Sequence, residues 1–441
     1  MSLKAGTAKV NITPPIGIMM AGYASRITGA TGINDELWAR ILYLNDGTTE
    51  IAMVTVEVLC LTNDIIAEIR RQAEKLTGIP AGHILISGTH THAGPACRLE
   101  SMGKSDDINI RYTACLIDTI ANAIGWAKAR SSESSDIAIS VHRVPVQCGV
   151  NRRERRDGKI ILGVNPDGPV FPFADIISVR DSEGRQISTW FTHPCHAVVL
   201  GPANYIISGD YPGAACRFVE ANTDGIAQFA NGFAGNINSQ YHKDGFREVE
   251  ILGRRLGAAV LQALTYDPPT PPTSSFDVRL RVREHSFHLP TEPMPSLDEA
   301  RQKVQQLSAE VEAGDHSKNR ALRETRKLVE FLESGQSYHG LPVTVQVITI
   351  NDTAILATPG EIFVDLAMDI EKASPFARTI AIGYSNGQIG YVPVRSAFPE
   401  GGYEVEMARA RFCGLGITPD AAELMVGECL KALQAAWNDL H

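Results

Sequence analysis

Ser87-Gly88-Thr89-His90-Thr91-His92-Ala93-Gly94-Pro95 follows the apolar run Ile84-Leu85-Ile86, so a buried strand runs into a polar loop carrying two imidazoles. Side chains on a strand alternate faces, and positions i and i+2 at its end project to the same side. Gly94-Pro95 ends the strand and makes this a rim position. Imidazole is the commonest metal-binding side chain and exchanges protons near neutral pH, so His90 and His92 together can supply a ligand and an acid/base group. The alternative is a polar turn with two solvated histidines.

Outward from this stretch, strands and helices alternate. Upstream, Thr62 suits the cap of a helix with Ile66, Ile69, Ala73 and Leu76 at helical spacing and Gly78 as its stop. Before that, runs at 8–12, 39–44 and 50–59 read as strands, with Asn45-Asp46-Gly47 as a hairpin turn. Downstream come a helix over about 107–130 and strands at 136–147 and 170–180. A buried strand over 186–192 then enters Thr192-His193-Pro194-Cys195-His196, a second pair of histidines at a strand end. Helices are expected at 211–222, 245–265, 404–412 and 419–437, and strands at 226–230, 342–350, 353–358 and 378–383. The fold class predicted is α/β, with mixed β-sheets flanked by helices, two of the sheets central.

The prolines of Asp267-Pro-Pro-Thr-Pro-Pro-Thr-Ser-Ser275 mark a linker. Residues 296–334 are charged and proline-free. Leu297, Ala300, Val304, Leu307 and Val311 step in threes and fours, followed by Leu322, Leu328, Val329 and Leu332. That pattern predicts a helical hairpin inserted into the fold, its apolar stripe either buried or a seam between copies of the chain.

With 44% hydrophobic and 21% charged residues, the 441-residue chain is globular. A net charge of -9 excludes a nucleic-acid or anionic-membrane surface as the main partner, because both need a basic footprint. No run approaches the roughly 18 apolar residues of a membrane helix, and the N-terminus lacks a signal-peptide core, so no stable membrane insertion and a cytoplasmic location are expected. Eight scattered cysteines without a CxxC pair read as reduced thiols.

A third strand end, Thr358-Pro359-Gly360-Glu361, adds a carboxylate to His90 and His193. Ligands in open α/β sheets bind beyond strand ends, and two histidines with one glutamate are a ligand set for catalytic zinc. Periodicity leaves the alternatives open: His193 as a core histidine, Glu361 as a helix cap.

The motifs taken together resemble the catalytic domain of the neutral, non-lysosomal ceramidases. They are Ala21-Gly22-Tyr23, Gly32-Ile33 with Leu37-Trp38-Ala39-Arg40, the His90/His92 stretch, Val150-Asn151-Arg152, Trp190-Phe-Thr-His-Pro194, Thr358-Pro-Gly-Glu361, and Tyr391 with Tyr403, in order from about residue 5 to 415. The resemblance implies a Zn2+ ion held by His90, His193, Glu361 and Tyr391, with His92, Arg152 and Tyr403 around a scissile amide. In those roles a water made nucleophilic by zinc attacks, Arg152 and Tyr403 donate to the oxyanion, and His92 protonates the leaving nitrogen.

Three departures qualify the implication. Asn238, in Gly235-Asn236-Ile237-Asn238-Ser239, stands at the place of the family's active-site serine, with Ser239 one step along. Asn34 stands where histidine is the family pattern, and His196 is an extra histidine that either acts in catalysis or packs. The secreted members also carry a leader and a further C-terminal domain, so lipid-surface binding is not expected here. Asp210 and Glu57 are candidates to orient histidines from behind, or else caps or surface carboxylates.

The expected function is therefore a zinc-dependent hydrolase cleaving a C–N bond by metal-activated water. The alternatives are turnover of another small amide or ester, because of Asn238, or an inactive metal-binding homologue. The expected partner is a small-molecule amide or ester, acyl-bearing or not, with no nucleic acid and with a homo-oligomer left open. Ligands at 90, 193, 361 and 391 need both sides of the proline linker, so residues 1–441 are expected to form a single catalytic domain, although length alone suggests about three.

Overall fold

Lys4–Asn11, Trp38–Asn45 and Glu50–Val56 form an antiparallel meander. Its second turn is built as the sequence demands: Asn45 Oδ1 accepts from Gly47 N at 2.6 Å, and Gly47 takes a positive φ of 90°. Ile84–Gly88 then joins Glu50–Val56 in parallel, completing a four-stranded sheet. The parallel connection is made by the helix Asn63–Thr77, which closes on Gly78 in the left-handed conformation, φ 76°. This computed structural model describes residues 3–99, 107–131, 137–241, 243–266 and 278–440. The proline linker 267–275 lies outside the described residues.

Two further four-stranded sheets follow the same plan. In one, Ile226–Asn231, Gln186–His193, Phe173–Arg180 and Ala138–Pro145 lie side by side; in the other, Leu280–Leu289, Leu341–Ile350, Thr353–Ala357 and Arg378–Ile382 do. Each of the three sheets is antiparallel except for one parallel pair: Glu50–Val56 with Ile84–Gly88, Gln186–His193 with Ile226–Asn231, and Thr353–Ala357 with Arg378–Ile382. The expectation of two central sheets thus falls one short.

One apolar core ties the sheets together. Leu42, Met53 and Leu85 of the first, Ile177 and Trp190 of the second, and Leu280, Ile348, Ile355 and Ile380 of the third are buried in a single cluster. Burial at roughly 25 cal/mol per Å2 of apolar surface is the main force holding such layers in contact. Helices cover the outer faces, Asn63–Thr77 and Asp107–Arg130 on the first sheet and Ala421–Asn438 on the third. The result is a single-domain α/β fold of mixed sheets and helices. Among the described residues no helix is long and apolar enough to cross a membrane.

Residues 296–334 form two helices, Leu297–Glu312 and Asn319–Glu333. Ser296 and Glu299 make a reciprocal capping box, and Ala300, Leu307, Leu322 and Leu328 are buried. Phe331 packs edge-on against Phe412, 5.0 Å between ring centroids, and fastens the pair to the body. The helix expected over 404–412 is shorter: Tyr403–Glu406 is one turn, and the chain then re-enters a strand at Arg411–Phe412. Cys413 and Gly414, both at positive φ, turn this strand back on itself.

The C-terminal ends of the three parallel pairs are stitched to one another. Gly88 N donates to Tyr384 O at 3.0 Å, Ser87 bridges Ser385, Gly383 N donates to Asn231 O at 3.1 Å, and Gly232 bridges Ile382. These are the ends at which the sequence carries its polar loops.

Candidate active site

His90 lies two residues beyond its strand, and its backbone is left-handed, φ 66°, so the simple alternation of a strand does not orient it. Its N–H donates to Val58 O at 3.0 Å, and its ring is fixed by Nδ1 against Leu59 O at 3.0 Å. With Nδ1–H donated backward, the Nε2 lone pair faces inward. His92 is half-buried, with its ring edge-on to that of His90 and the two Nε2 atoms 3.2 Å apart. Gly22, φ 94°, lies against the His92 ring, so close that a Cβ there would fall 2.5 Å from Nδ1.

The structure places His193 elsewhere. Its Nδ1 meets Phe173 O at 2.9 Å and its Nε2 accepts from Cys148 N at 3.2 Å, so both nitrogens are taken by backbone and neither joins the cluster. Burial lowers its pKa to about 4, keeping it neutral. His193 therefore does not take the place expected of it; the imidazole brought to the cluster is His196, three residues on. Pro194 ends the strand, and His196 N then donates to Ile237 O at 3.0 Å. Its Nδ1 lies 2.8 Å from Ala234 O and 3.0 Å from Ile237 O, while Nε2 points at Glu361 Oε2, 3.1 Å, and the Tyr391 hydroxyl, 3.2 Å.

Glu361 does not cap a helix. It forms the short strand Glu361–Ile362 paired in parallel with Tyr391–Val392, and Glu361 and Tyr391 are register partners. Glu361 Oε2 is also 3.3 Å from His90 Nε2, and Gln388 Nε2 donates to its other oxygen at 3.4 Å. Burial pushes the Glu361 carboxyl up, but His90 and His196 outweigh it and hold the group well below the usual carboxylate range. Burial, helped by the neighbouring imidazoles, holds His92 well below 6.5; burial and the Arg152 charge bring His196 to about 4. The centre is thus one carboxylate facing imidazoles, of which burial keeps His92 and His196 neutral. Nitrogens of His90, His92 and His196 all lie within 4.8 Å of one another, a group that can hold a metal ion.

Arg152 closes one side. It lies on the strand Gly149–Arg156, which pairs with Ile237–Ser239 and, around the turn at Asp157 and Gly158, with Lys159–Asn165. Nη1 donates to His196 Nε2 and to Asn238 Oδ1, each 3.2 Å, and Nε to Glu404 Oε1 at 2.7 Å; Nη2 is buried without a partner among the described residues. Asn238 therefore faces the centre, whereas Ser239 turns its hydroxyl to Tyr241 O. The half-exposed Tyr403 stands edge-on to Tyr391, 5.8 Å between centroids, at the mouth.

Two aromatic residues join the wall. Tyr384, φ 54°, stacks on His90 at 4.0 Å, and its buried hydroxyl has no partner among the described residues. Tyr23 tilts on His92 at 4.9 Å, held by Arg26, which donates Nη1 to Ala21 O and His92 O. The sequence signal for Tyr384 is its place in Gly383-Tyr384-Ser385-Asn386, a strand end like the other three.

The chain is similar to known proteins in sequence and in fold. Residues 3–155 match the family described as neutral/alkaline non-lysosomal ceramidase, N-terminal. A curated relative, the neutral ceramidase of Oryza sativa subsp. japonica, is 26% identical over 230 residues, 49% of this chain and 28% of that protein. The chain is similar to the neutral ceramidases. Its fold is theirs over its whole length. The solved structure of a ceramidase complexed with C2 superposes with a TM-score of 0.73 at 16% identity, covering 100% of this chain and 76% of that one. The neutral ceramidase from Pseudomonas aeruginosa gives 0.72 at 17% identity, covering 100% and 75%. The match to the curated relative spans about a quarter of that protein's length.

Glu57 and Asp210 do not reach the histidines. Glu57 is buried against Arg40 and accepts from Trp38 N at 2.9 Å. Asp210, φ 52°, opens the helix Asp210–Glu220, its Oδ1 accepting from Tyr211 N at 2.6 Å. Burial raises its carboxyl to about 7. The unfolded chain releases that proton near 3.8, so the native state binds more protons between these values. Its contribution is full below pH 3.8 and lost as pH rises through 7. Asp210→Asn, which tolerates the left-handed backbone, is expected to raise the melting temperature relative to wild type at pH 8 and to leave it nearly unchanged at pH 4. Equal shifts at both pH values in thermal unfolding overturn this.

Proposed function

We propose that the chain is a zinc-dependent amidohydrolase acting on an acyl-bearing amide, with His90, His196, Glu361 and Tyr391 as the residues that hold the metal. The observation carrying this is the convergence of His90 Nε2, His196 Nε2, Glu361 Oε2 and the Tyr391 hydroxyl, linked by separations of 3.1 to 3.3 Å. Each imidazole is clamped from behind by a backbone carbonyl, the arrangement that fixes the metal-binding tautomer. An ionised carboxylate with two imidazoles suits zinc, and the ceramidase relatives support an amide as the bond cleaved. When bound, such an ion supplies Lewis acidity and lowers the pKa of a coordinated water from about 15.7 toward 7.

The chain's own residues do the rest. Arg152, cationic and buried, offers Nη2 to the carbonyl oxygen as negative charge grows on it, and Tyr403 offers its hydroxyl from the mouth. His92, neutral at rest, is placed to carry a proton at Nε2 to the leaving nitrogen. Asn238 holds Arg152 Nη1, so the chemistry does not depend on the serine of the family pattern.

Dialysis against a zinc-selective chelator is expected to abolish turnover of N-acyl amides, and one equivalent of Zn2+ to restore it. A metal-free preparation that retains full activity, or hydrolysis confined to esters across a matched amide and ester panel, overturns this assignment.

A further inference from the structure

The geometry points to Glu404 as the positioning residue that holds the Arg152 guanidinium at the reaction centre. This rests on the hydrolase reading above. Glu404 is fully buried and sits at the first turn of the helix Tyr403–Glu406, beside the tyrosine at the mouth. Its two carboxylate oxygens are divided between consecutive arginines of one strand: Oε1 accepts from Arg152 Nε at 2.7 Å, and Oε2 from Arg153 Nη1 at 2.9 Å. The strand is irregular here, its register against Lys159–Asn165 shifting between Asn151 and Arg153, and the two side chains diverge beyond the shared carboxylate. Arg152 accordingly enters the cluster of His196 and Asn238. Arg153 instead reaches Glu400 and Gly401 O, beside a cleft of about 320 Å3 also lined by Arg155, Asn236 and Asp365.

The contact to Arg152 is what makes this more than a buried ion pair. A guanidinium presents its donors in a rigid plane, so a bond that fixes Nε also fixes where Nη1 and Nη2 point. With Nε held by Glu404 and Nη1 by Asn238, the one end left is Nη2, buried and without a partner among the described residues. Glu404 also supplies the carboxylate opposite Arg152; Glu361, the other carboxylate of the centre, is engaged by the imidazoles. Two arginines share Glu404, so a neutral carboxamide leaves one of them short of an acceptor.

Glu404→Gln is the test, made alongside Arg152→Lys and Arg153→Met in the zinc-loaded enzyme. The expected result is a fall in kcat of about ten- to a hundredfold in Glu404→Gln with KM changed less than about threefold, bounded by the effect of losing one oxyanion donor. Arg153→Met, which leaves Glu404 to Arg152, keeps kcat within about threefold and controls for general damage to this strand. Independently of turnover, crystal structures of wild type and Glu404→Gln should differ in the Arg152 side chain, with Nη1 moving out of hydrogen-bond distance of Asn238 Oδ1. Glu404→Gln with wild-type kcat and an unmoved Arg152, while Arg152→Lys is impaired, overturns the positioning role and leaves the hydrolase reading intact. Failure of wild type and all variants to turn over any amide overturns that reading, and the position of Arg152 in the two structures still decides the role of Glu404.

Discussion

His196→Ala should lose metal and turnover together, while His193→Ala keeps both. His196 presents Nε2 to Glu361 and Tyr391 and has its Nδ1 against two backbone carbonyls, so no other imidazole of the described residues replaces it in that place. Loss of an outer partner to a metal ligand costs 10- to 100-fold in affinity, and loss of a ligand itself is expected to exceed about 100-fold. His193 instead satisfies Cys148 N and Phe173 O, and its removal leaves a buried N–H and a carbonyl without their partner, a cost of about 1–3 kcal/mol in stability. Competition with a chromogenic chelator and thermal unfolding on the two variants separate these effects. A His193→Ala protein that binds no zinc, beside a His196→Ala protein that does, reverses the assignment.

The misreading of this pair shows where sequence logic stops. His193-Pro194 matches the resemblance, and a strand over 186–192 is correctly visible from its apolar run. What the sequence does not carry is the face on which the last residue of that strand falls, which the pairing of Gln186–His193 between two neighbours sets. Pro194 then ends the ladder, and the next residues are placed by Ile237 O and Asn231 Oδ1, contacts about 40 residues away. The hairpin Gly149–Arg156 with Lys159–Asn165 was equally hidden. Its arginine-rich first strand shows no apolar alternation, although Asp157-Gly158 is a readable turn. Conversely, His90, Glu361, Tyr391, Arg152, Asn238 and Tyr403 are brought to one place from six separated segments. The loops bearing His90 and Glu361 stand out because each follows an apolar run and is marked by Gly or Pro.

Two of these loops are also conformationally costly. His90 and Tyr384 both occupy left-handed backbone and stack on each other, although neither is glycine. Such residues cost on the order of 1–3 kcal/mol each and persist only where the surroundings over-determine them. Here the surroundings are the stitched strand ends: Gly88 N to Tyr384 O, Tyr384 N to Gly360 O, and His90 N to Val58 O. The same bonds that join the sheets thus hold the imidazole and its phenol partner in place. That is why a centre assembled from distant segments can be rigid without a disulfide, all eight cysteines being free.

Rigidity also determines what Arg152→Lys is expected to do. The variant should reduce kcat by about 10²–10³-fold, equivalent to roughly 2.7–4 kcal/mol of transition-state stabilisation, with zinc content unchanged. A lysine keeps the charge and lacks the fork: one ammonium cannot hold Glu404 and Asn238 in their present directions while leaving a donor free. Charge alone attracts the substrate carbonyl in ground state and transition state alike, whereas a donor fixed in direction favours the oxygen only as it becomes anionic. The loss should therefore appear in kcat and kcat/KM equally, with KM little changed. Steady-state kinetics on zinc-replete protein decide the matter. A variant with wild-type kcat and a raised KM shows Arg152 binding substrate uniformly, and one that loses zinc in proportion to activity shows it holding His196 instead of the oxyanion.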